Sequence, residues 1–152
     1  MNQQFSTTLQ IRWADIDANG HLRHSAYFDF GATARMMFMS ENGLTIGKLK
    51  ELDIGPVLFR EEAMFKREIR LEDVITVDVI LTKSTPDFSR WSLRHHFYKA
   101  DGSLAATINL DAAWIDTKLR KLTKPGPFVQ EVFKKLPASP ELHSSHSTDS
   151  TP

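Results

Sequence analysis

The stretch SAYFDFGATARMMFMSEN, residues 25–42, decides the fold of this chain. Its aromatic residues, methionines and alanines cover more than one stripe of a helix, which predicts a helix with protein around most of its circumference. Gly43 follows directly and can supply the left-handed conformation that ends a helix. The sequence therefore predicts one long central helix, and the rest of the chain must surround it.

Stretches with strand character lie on both sides of this helix. Residues 5–13 alternate apolar and polar side chains with a period of two, which indicates a half-buried strand. After the helix, residues 57–70, 74–83, 88–99 and 103–115 read as strands, with gaps short enough for antiparallel hairpins. A strand, a buried helix and an antiparallel meander predict an α+β hotdog fold, with a sheet of about five strands wrapped around the helix.

Length and composition predict a single domain over residues 1–136. The chain has 152 residues, 41% of them hydrophobic, which suits one compact core and leaves no room for a second domain. From Pro137 onward, Ser, Pro, His and Thr dominate, and too little apolar surface remains to offset the ordering entropy. We expect residues 137–152 to form a flexible polar tail, with His143 and His146 solvated.

Charge and cysteine content exclude several classes of function. Nineteen basic residues balance nineteen acidic ones, so the chain has no overall field to hold a nucleic acid or an anionic membrane. Cysteine is absent, which excludes disulfides, a thiol nucleophile and a thiolate metal site. Without an apolar run or a signal peptide, we expect a cytoplasmic protein.

The loop before the helix holds the densest group of polar side chains. The sequence DIDANG, residues 15–20, matches the first half of an EF-hand calcium loop, but position twelve is Ala26 instead of the required glutamate. A second interpretation makes these residues helix caps and turn formers. Their density just before a buried helix favours a functional site, because desolvation and hydrogen bonding both perturb pKa values.

Residues 13–27, WADIDANGHLRHSAY, resemble the signature of the 4-hydroxybenzoyl-CoA thioesterase family of hotdog proteins. The shared pattern is Asp-x-Asp-x-x-Gly-[His or apolar]-x-x-[His or Asn]-x-x-Tyr, placed between the first strand and the long helix. A coarser resemblance extends over residues 5–136. The chain departs from many relatives at Ala26, where they carry Asn.

The resemblance implies an acyl-CoA thioesterase that hydrolyses its substrate to a free acid and coenzyme A and uses no metal and no organic cofactor. Asp17 would act on the thioester carbonyl as a nucleophile or as the general base for water, and the residues do not choose between the two. Backbone amides near His24 and Ser25 would polarise that carbonyl at the helix start. The His24 side chain could bind the carbonyl, position water or protonate the leaving thiolate.

The same resemblance makes four further residues candidates for substrate binding: Asn19, Gly20, His21 and Tyr27. Two of them keep a structural alternative, since His21 could hold the loop by hydrogen bonds and Tyr27 could pack against the sheet. Asp15 is expected to brace the turn. Basic residues of the predicted strands could meet the phosphates of coenzyme A: Lys66, Arg67, Arg70, Lys83, Arg90 and Arg94.

Alternation along the strands separates two pairs of neighbouring residues. Glu61 and Glu62 must face opposite sides of the sheet, and so must His95 and His96. An exposed sheet edge needs covering, which predicts a homodimer or a tetramer of dimers. Two other functions stay open, a non-catalytic acyl-thioester-binding protein and a hotdog dehydratase or hydratase.

Overall fold

The computed structural model describes residues 4–142. Its elements follow in chain order: β1 (Ser6–Gln10), α1 (His24–Glu41), α2 (Ile46–Glu51), β2 (Ile54–Phe65), β3 (Val74–Asp78), β4 (Ile80–Ser84), β5 (Arg90–Lys99), β6 (Leu104–Asp116), β7 (Lys121–Leu122) and α3 (Pro127–Lys134). Within these residues, no helix has both the length and the apolar character needed to span a bilayer.

One antiparallel sheet forms the body of the molecule. Five strands follow one another in the order β1-β3-β5-β6-β2, while β4 pairs with β5 and the short β7 pairs with β6. Strands β3 and β4 were expected as one strand, but Val79 separates them and its N–H bonds to the carbonyl of Phe5 at 3.4 Å. The predicted α+β hotdog fold, with about five strands around a central helix, is confirmed.

Helix α1 packs into the sheet through small and aromatic side chains. Ala26, Phe30, Ala34 and Phe38 recur every four residues and are all buried. Ala26 and Ala34 are fully inaccessible, and such small side chains allow close packing. The helix predicted over residues 25–42 therefore exists with nearly the predicted bounds. Its predicted burial around most of the circumference is wrong, because Ser25, Asp29, Thr33 and Met37 form an exposed face.

Two strands end earlier than predicted, for local reasons. Strand β1 ends at Gln10 because residues 13–15 form a 3-10 turn, in which the Asp15 carboxylate accepts from the backbone N–H of Arg12. Strand β2 ends at Phe65 because the N–H groups of Lys66 and Arg67 both donate to the carbonyl of Ala105, which turns the chain away.

Residues 137–142, which composition assigned to a flexible tail, pack against β4. The N–H of Leu81 donates to the carbonyl of Pro137 at 2.7 Å, and the N–H of Ser139 donates to the carbonyl of Leu81 at 2.9 Å. Leu142 is buried against the core. The packed chain thus extends past the predicted boundary at residue 136, while His143 and His146 lie outside the described residues.

Strand β2 is the outermost strand on one side of the sheet. Among residues 4–142 it pairs with β6 on one flank and with no strand on the other. Four large apolar side chains of β2 are exposed: Leu58, Phe59, Met64 and Phe65. This edge offers unpaired backbone groups together with apolar surface.

Candidate active site

The two aspartates of the loop before α1 have different environments. Asp15 is buried, and its carboxylate accepts hydrogen bonds from Arg12 N at 3.0 Å, Arg12 Nη2 at 2.9 Å and Arg12 Nε at 3.2 Å. Arg23 approaches the same carboxylate at 3.7 Å. The hydrogen bonds and charge of Arg12 hold the pKa of Asp15 below its usual value. These contacts join Asp15 to Arg12 and Arg23, which fits the predicted role of Asp15 in stabilising the turn.

Asp17 is exposed, but its carboxylate is fixed in position. Its Oδ1 accepts from the backbone N–H groups of Asn19 at 2.9 Å and His21 at 3.1 Å. The backbone of Asp17 closes the same loop, accepting from Gly20 N at 3.0 Å and donating to His21 O at 2.8 Å. Gly20 has a φ of +77°, which favours glycine. Among the described residues Oδ2 accepts no hydrogen bond, so a fixed carboxylate keeps one free oxygen.

The first turn of α1 presents free backbone donors. Arg23 precedes the helix in an extended conformation, and its side chain does not cap the helix. The N–H of Ala26 donates to the carbonyl of Arg23 at 3.0 Å, but within residues 4–142 no acceptor faces the N–H groups of His24 and Ser25. Two donors at the positive end of the helix dipole can stabilise negative charge on a ligand oxygen.

A pocket of about 350 Å³ lies in front of this turn. It is lined by Asp17, His21, Leu22, His24, Tyr27, Phe65, Lys66, Arg67 and Glu68. Four of the seven residues predicted for the site thus line one cavity: Asp17, His21, His24 and Tyr27.

The other three predicted residues do not line this pocket. Asn19 and Gly20 form the turn that holds Asp17. Ser25 is exposed, and its hydroxyl accepts a hydrogen bond from Arg23.

The opposite wall of the pocket comes from the end of β2 and the residues after it. The N–H of Leu22 donates to the carbonyl of Ile69 at 2.7 Å, and His21 Nε2 lies 3.1 Å from the Glu68 carboxylate. Sequence reasoning proposed Lys66 and Arg67 only as members of a basic group, and it missed Phe65 and Glu68. No local pattern signals that a loop near residue 21 will pair with one near residue 69.

Tyr27 joins the pocket to the core. Its ring packs edge-on against Phe65, with centroids 4.9 Å apart, and lies 5.5 Å from the ring of Phe97. Burial, together with the nearby charge of Asp17, raises the pKa of Tyr27 to about 12. The phenol therefore stays neutral at physiological pH. Its position fits both interpretations made from the sequence, packing against the sheet and contact with a ligand.

A second group of ionisable residues lies under the middle of α1, and we call it the Arg35 cluster: Arg35, Glu61 and His95. The His95 ring is fully buried, with Nδ1 at 2.6 Å from the carbonyl of Asp78 and Nε2 at 3.0 Å from Arg35 Nη1. A carbonyl only accepts, so Nδ1 carries the proton and Nε2 accepts from Arg35. Burial lowers the pKa of His95 to about 4, so the ring is neutral.

Glu61 completes the Arg35 cluster from the edge strand. Its Oε2 lies 3.6 Å from Arg35 Nη1, an ion-pair distance too long for a hydrogen bond. Burial raises the pKa of Glu61, and the charge of Arg35 opposes that rise. As alternation predicted, Glu61 faces the helix while Glu62, on the outer face, pairs with Arg60. No local sequence pattern predicts that Arg35 and His95 lie next to Glu61.

A known family model matches most of this chain. The family model described as the thioesterase-like superfamily matches residues 11–134. A comparison with curated proteins found no match.

Several solved structures are similar over most of this chain. A hypothetical protein of Staphylococcus aureus, solved in complex with CoA, is 23% identical with a TM-score of 0.78, over 90% of this chain and 88% of its own. A DHNA-CoA thioesterase of the same organism is 17% identical with a TM-score of 0.78, over 98% and 96%. A 1,4-dihydroxy-2-naphthoyl-CoA thioesterase of Synechocystis is 17% identical with a TM-score of 0.78, over 88% and 98%. At these identities, the likeness establishes the shared fold.

Proposed function

This chain belongs to the thioesterase-like superfamily, and from that premise we propose that it hydrolyses an acyl-CoA thioester to a free acid and coenzyme A. One observation carries the proposal. The fixed carboxylate of Asp17 and the helix start with its free N–H groups meet at a single pocket. A nucleophile or base and an oxyanion stabiliser are the two parts that acyl transfer requires.

The chemistry begins with the thioester carbonyl against the N–H groups of His24 and Ser25. These donors stabilise the oxyanion as the carbonyl carbon becomes tetrahedral, and one such donor is worth about 3 kcal/mol in known enzymes. The free Oδ2 of Asp17 attacks the carbon, or it takes a proton from a water that attacks. Collapse of the intermediate expels the coenzyme A thiolate, which takes up a proton.

If Asp17 is the nucleophile, an acyl-aspartyl anhydride forms and water then cleaves it. If Asp17 is the base, the acid forms directly. Both routes use the same two features of the pocket, and oxygen-18 from labelled water would enter Asp17 only by the first route.

The rim of the pocket supports coenzyme A as the carrier. Lys66 and Arg67 line the pocket and are exposed, which suits contact with phosphates that stay partly in water. Similar structures with CoA bound or with CoA thioesters in their names support the same carrier. His24 lines the pocket, which supports a role for its side chain in protonating the leaving thiolate.

We further propose a homodimer, alone or within a tetramer, that pairs two β2 edges. The unpaired backbone of β2 and its exposed Leu58, Phe59 and Phe65 favour a second copy as the cover. The acyl group would then thread between the subunits along β2. Sedimentation at increasing concentration would test this, and a monomer at every concentration would contradict it.

The decisive experiment measures thiol release from a panel of short, long and aromatic acyl-CoAs. We expect turnover by the wild type and a loss of at least about a hundredfold for Asp17→Asn, because an amide is neither a nucleophile nor a base. Asp101→Asn is the matched control, since Asp101 also accepts a backbone N–H in an exposed turn, from Ser103 at 2.8 Å.

Other outcomes would redirect the assignment. Turnover that survives Asp17→Asn would place the chemistry elsewhere, with Glu61, Glu62 and His24 as the next residues to test. No release from any substrate would favour an acyl-thioester-binding protein or a hydratase.

A further inference from the structure

A short hairpin joins strands β6 and β7 at one end of the sheet. All of residues 117–122 are exposed, so the hairpin projects from the body of the protein. Its turn is held by Asp116, whose Oδ1 accepts from the backbone N–H groups of Lys118 at 2.9 Å and Leu119 at 2.8 Å. The hairpin therefore presents its tip to solvent in a defined conformation.

The hairpin and the chain after it carry positive charge. Residues 117–130 contain no acidic residue and four basic ones within seven positions: Lys118, Arg120, Lys121 and Lys124. Lys118 Nζ lies 3.3 Å from the Asp53 carboxylate, and the other three bases form no ion pair with residues 4–142. The chain as a whole is neutral, so its overall charge, from which no membrane partner is expected, conceals a basic region.

Large apolar side chains lie among these charges. Leu119, at the tip of the hairpin, is 68% exposed, and Leu122 is also exposed. Leu52 and Phe128 are exposed beside the hairpin, and together with Lys124 they line a cavity of about 220 Å³. We call this combination of basic and apolar side chains the hairpin surface. Exposed apolar patches with a polar rim are typical of sites that bind a partner or a membrane.

The hairpin surface is remote from the pocket of the same subunit. Asp116, where the hairpin begins, pairs with Ile54 at the first residue of β2, whereas the pocket is lined by Phe65 at the last residue of that strand. The strand has 12 residues, so at about 3.3 Å per residue its ends lie roughly 36 Å apart. The chemistry proposed at Asp17 thus leaves this surface without a role.

The charge and shape of the hairpin surface fit an anionic bilayer. Each basic side chain near a negatively charged membrane strengthens binding by about fivefold, and apolar side chains among the bases can enter the boundary between headgroups and acyl chains. A second copy of the chain is a poor cover, because two such surfaces would bring like charges together. A projecting hairpin also offers little of the roughly 800 Å² that each partner contributes to a stable protein interface.

We propose that the hairpin surface docks the protein on an anionic lipid bilayer. Leu119 and Leu122 enter the interface, and Arg120, Lys121 and Lys124 contact the phosphates of the headgroups. This inference goes beyond the proposed hydrolysis and does not depend on the catalytic assignment. A bilayer is also where amphiphilic acyl thioesters and free acids with long chains collect.

Binding to vesicles tests the proposal. The wild type should bind mixed vesicles of phosphatidylglycerol and phosphatidylcholine at least about tenfold more tightly than vesicles of phosphatidylcholine alone, and added salt should weaken this binding. The double variant Arg120→Gln with Lys121→Gln should bind the mixed vesicles about 25-fold less tightly, because it lacks two bases. The matched control is Lys134→Gln with Lys135→Gln, which removes the same charge from two exposed bases at the other end of α3 and should change binding by no more than about twofold.

The absence of cysteine allows a second readout. Leu119→Cys and, as the control, Met37→Cys on the exposed face of α1 are each labelled with a dye whose emission shifts to the blue in apolar surroundings. The dye at position 119 should shift when mixed vesicles are added, and the dye at position 37 should not. Both variants should unfold at the temperature of the wild type, since both sites are exposed.

Four results would overturn the proposal. The first is no binding of mixed vesicles by the wild type, and the second is an equal loss of binding in the two double variants. The third is binding to immobilised polyglutamate without binding to vesicles, which would assign the hairpin surface to an acidic protein. The fourth comes from calorimetric titration with coenzyme A: a weaker affinity in Arg120→Gln with Lys121→Gln would assign the hairpin to the ligand site of a neighbouring subunit, whereas we expect that affinity to be unchanged.

Discussion

Two groups of ionisable side chains lie beside helix α1, one at its N-terminal end and one at its middle, and the two groups differ in their exposure to water. At the end, Asp17 is exposed and its position is set by backbone N–H groups. In the middle, Arg35 and His95 are buried and hold each other through side-chain contacts. We therefore expect changes at Asp17 to alter chemistry with little effect on stability, and changes in the Arg35 cluster to alter stability strongly.

The largest expected effect on stability is that of Arg35→Met. It leaves His95 Nε2 without its donor and Glu61 without its counter-charge in a desolvated place, so the free energy of unfolding should fall by about 3 kcal/mol. Chemical denaturation measures this loss. Arg60→Met is the control, because it removes the exposed partner of Glu62 and should cost no more than about 0.5 kcal/mol. Equal losses in the two variants would contradict the contrast between buried and exposed pairs.

The second effect is a dependence of stability on pH that comes from His95. Its pKa is about 4 in the folded protein and 6.5 as a free side chain. Between these values the unfolded chain binds the proton more readily than the folded protein. The contribution of His95 to the free energy of unfolding is therefore fully present above about pH 6.5 and is lost as the pH falls toward 4. A shift of this size corresponds to about 3 kcal/mol.

His95→Gln isolates that contribution. The glutamine amide can donate to the Asp78 carbonyl and accept from Arg35, and it does not titrate. The difference between the unfolding free energies of wild type and variant should shrink or change sign in favour of the variant as the pH falls from 6.5 to 4. Parallel pH profiles would show that His95 is not held neutral by the fold.

The contrast between the two places also explains what the sequence could predict. Alternation and composition predicted α1, the four later strand regions and the opposite orientations of Glu61 and Glu62, because each depends on neighbours a few residues apart. Asp17, His21, His24 and Tyr27 were found together for the same reason, since they belong to one short motif. The catalytic and binding roles assigned to them stay predictions.

What the sequence could not predict depends on contacts between distant segments. Arg35, Glu61 and His95 come from a helix and two strands, and none stands out among its neighbours. Phe65 and Glu68 enter the pocket only because the chain after β2 pairs with the loop near His21. The packing of residues 137–142 on β4 was missed because composition reports average burial and not a specific docking site.

A third, smaller effect tests how tightly α1 approaches the Arg35 cluster. A Cβ added at Gly31 would lie 3.1 Å from His95 Cδ2 and 3.5 Å from Arg35 Nη1. Alanine favours a helix by about 1 kcal/mol over glycine, but overpacking costs about 1–3 kcal/mol, so Gly31→Ala should destabilise by about 1 kcal/mol. Gly47→Ala in α2 is the control, since its nearest neighbour would be Thr45 Oγ1 at 3.8 Å, and it should stabilise. Stabilisation by both would mean that α1 has room at Gly31.

The smallest expected effect on stability is that of Asp17→Asn, the change expected to remove activity. Asparagine keeps an oxygen that can accept from the N–H groups of Asn19 and His21, and the site is exposed, so the free energy of unfolding should change by no more than about 0.5 kcal/mol. Asp15→Asn two positions earlier should cost about 1–2 kcal/mol, because Asp15 is buried and loses charged hydrogen bonds to Arg12. Denaturation of both variants, run beside the thiol-release assay, measures the two quantities on the same preparations. A large loss of stability in Asp17→Asn would make its loss of activity uninformative about the chemistry. A stable but inactive Asp17→Asn protein would assign the chemistry to Asp17 and the stabilisation of the turn to Asp15.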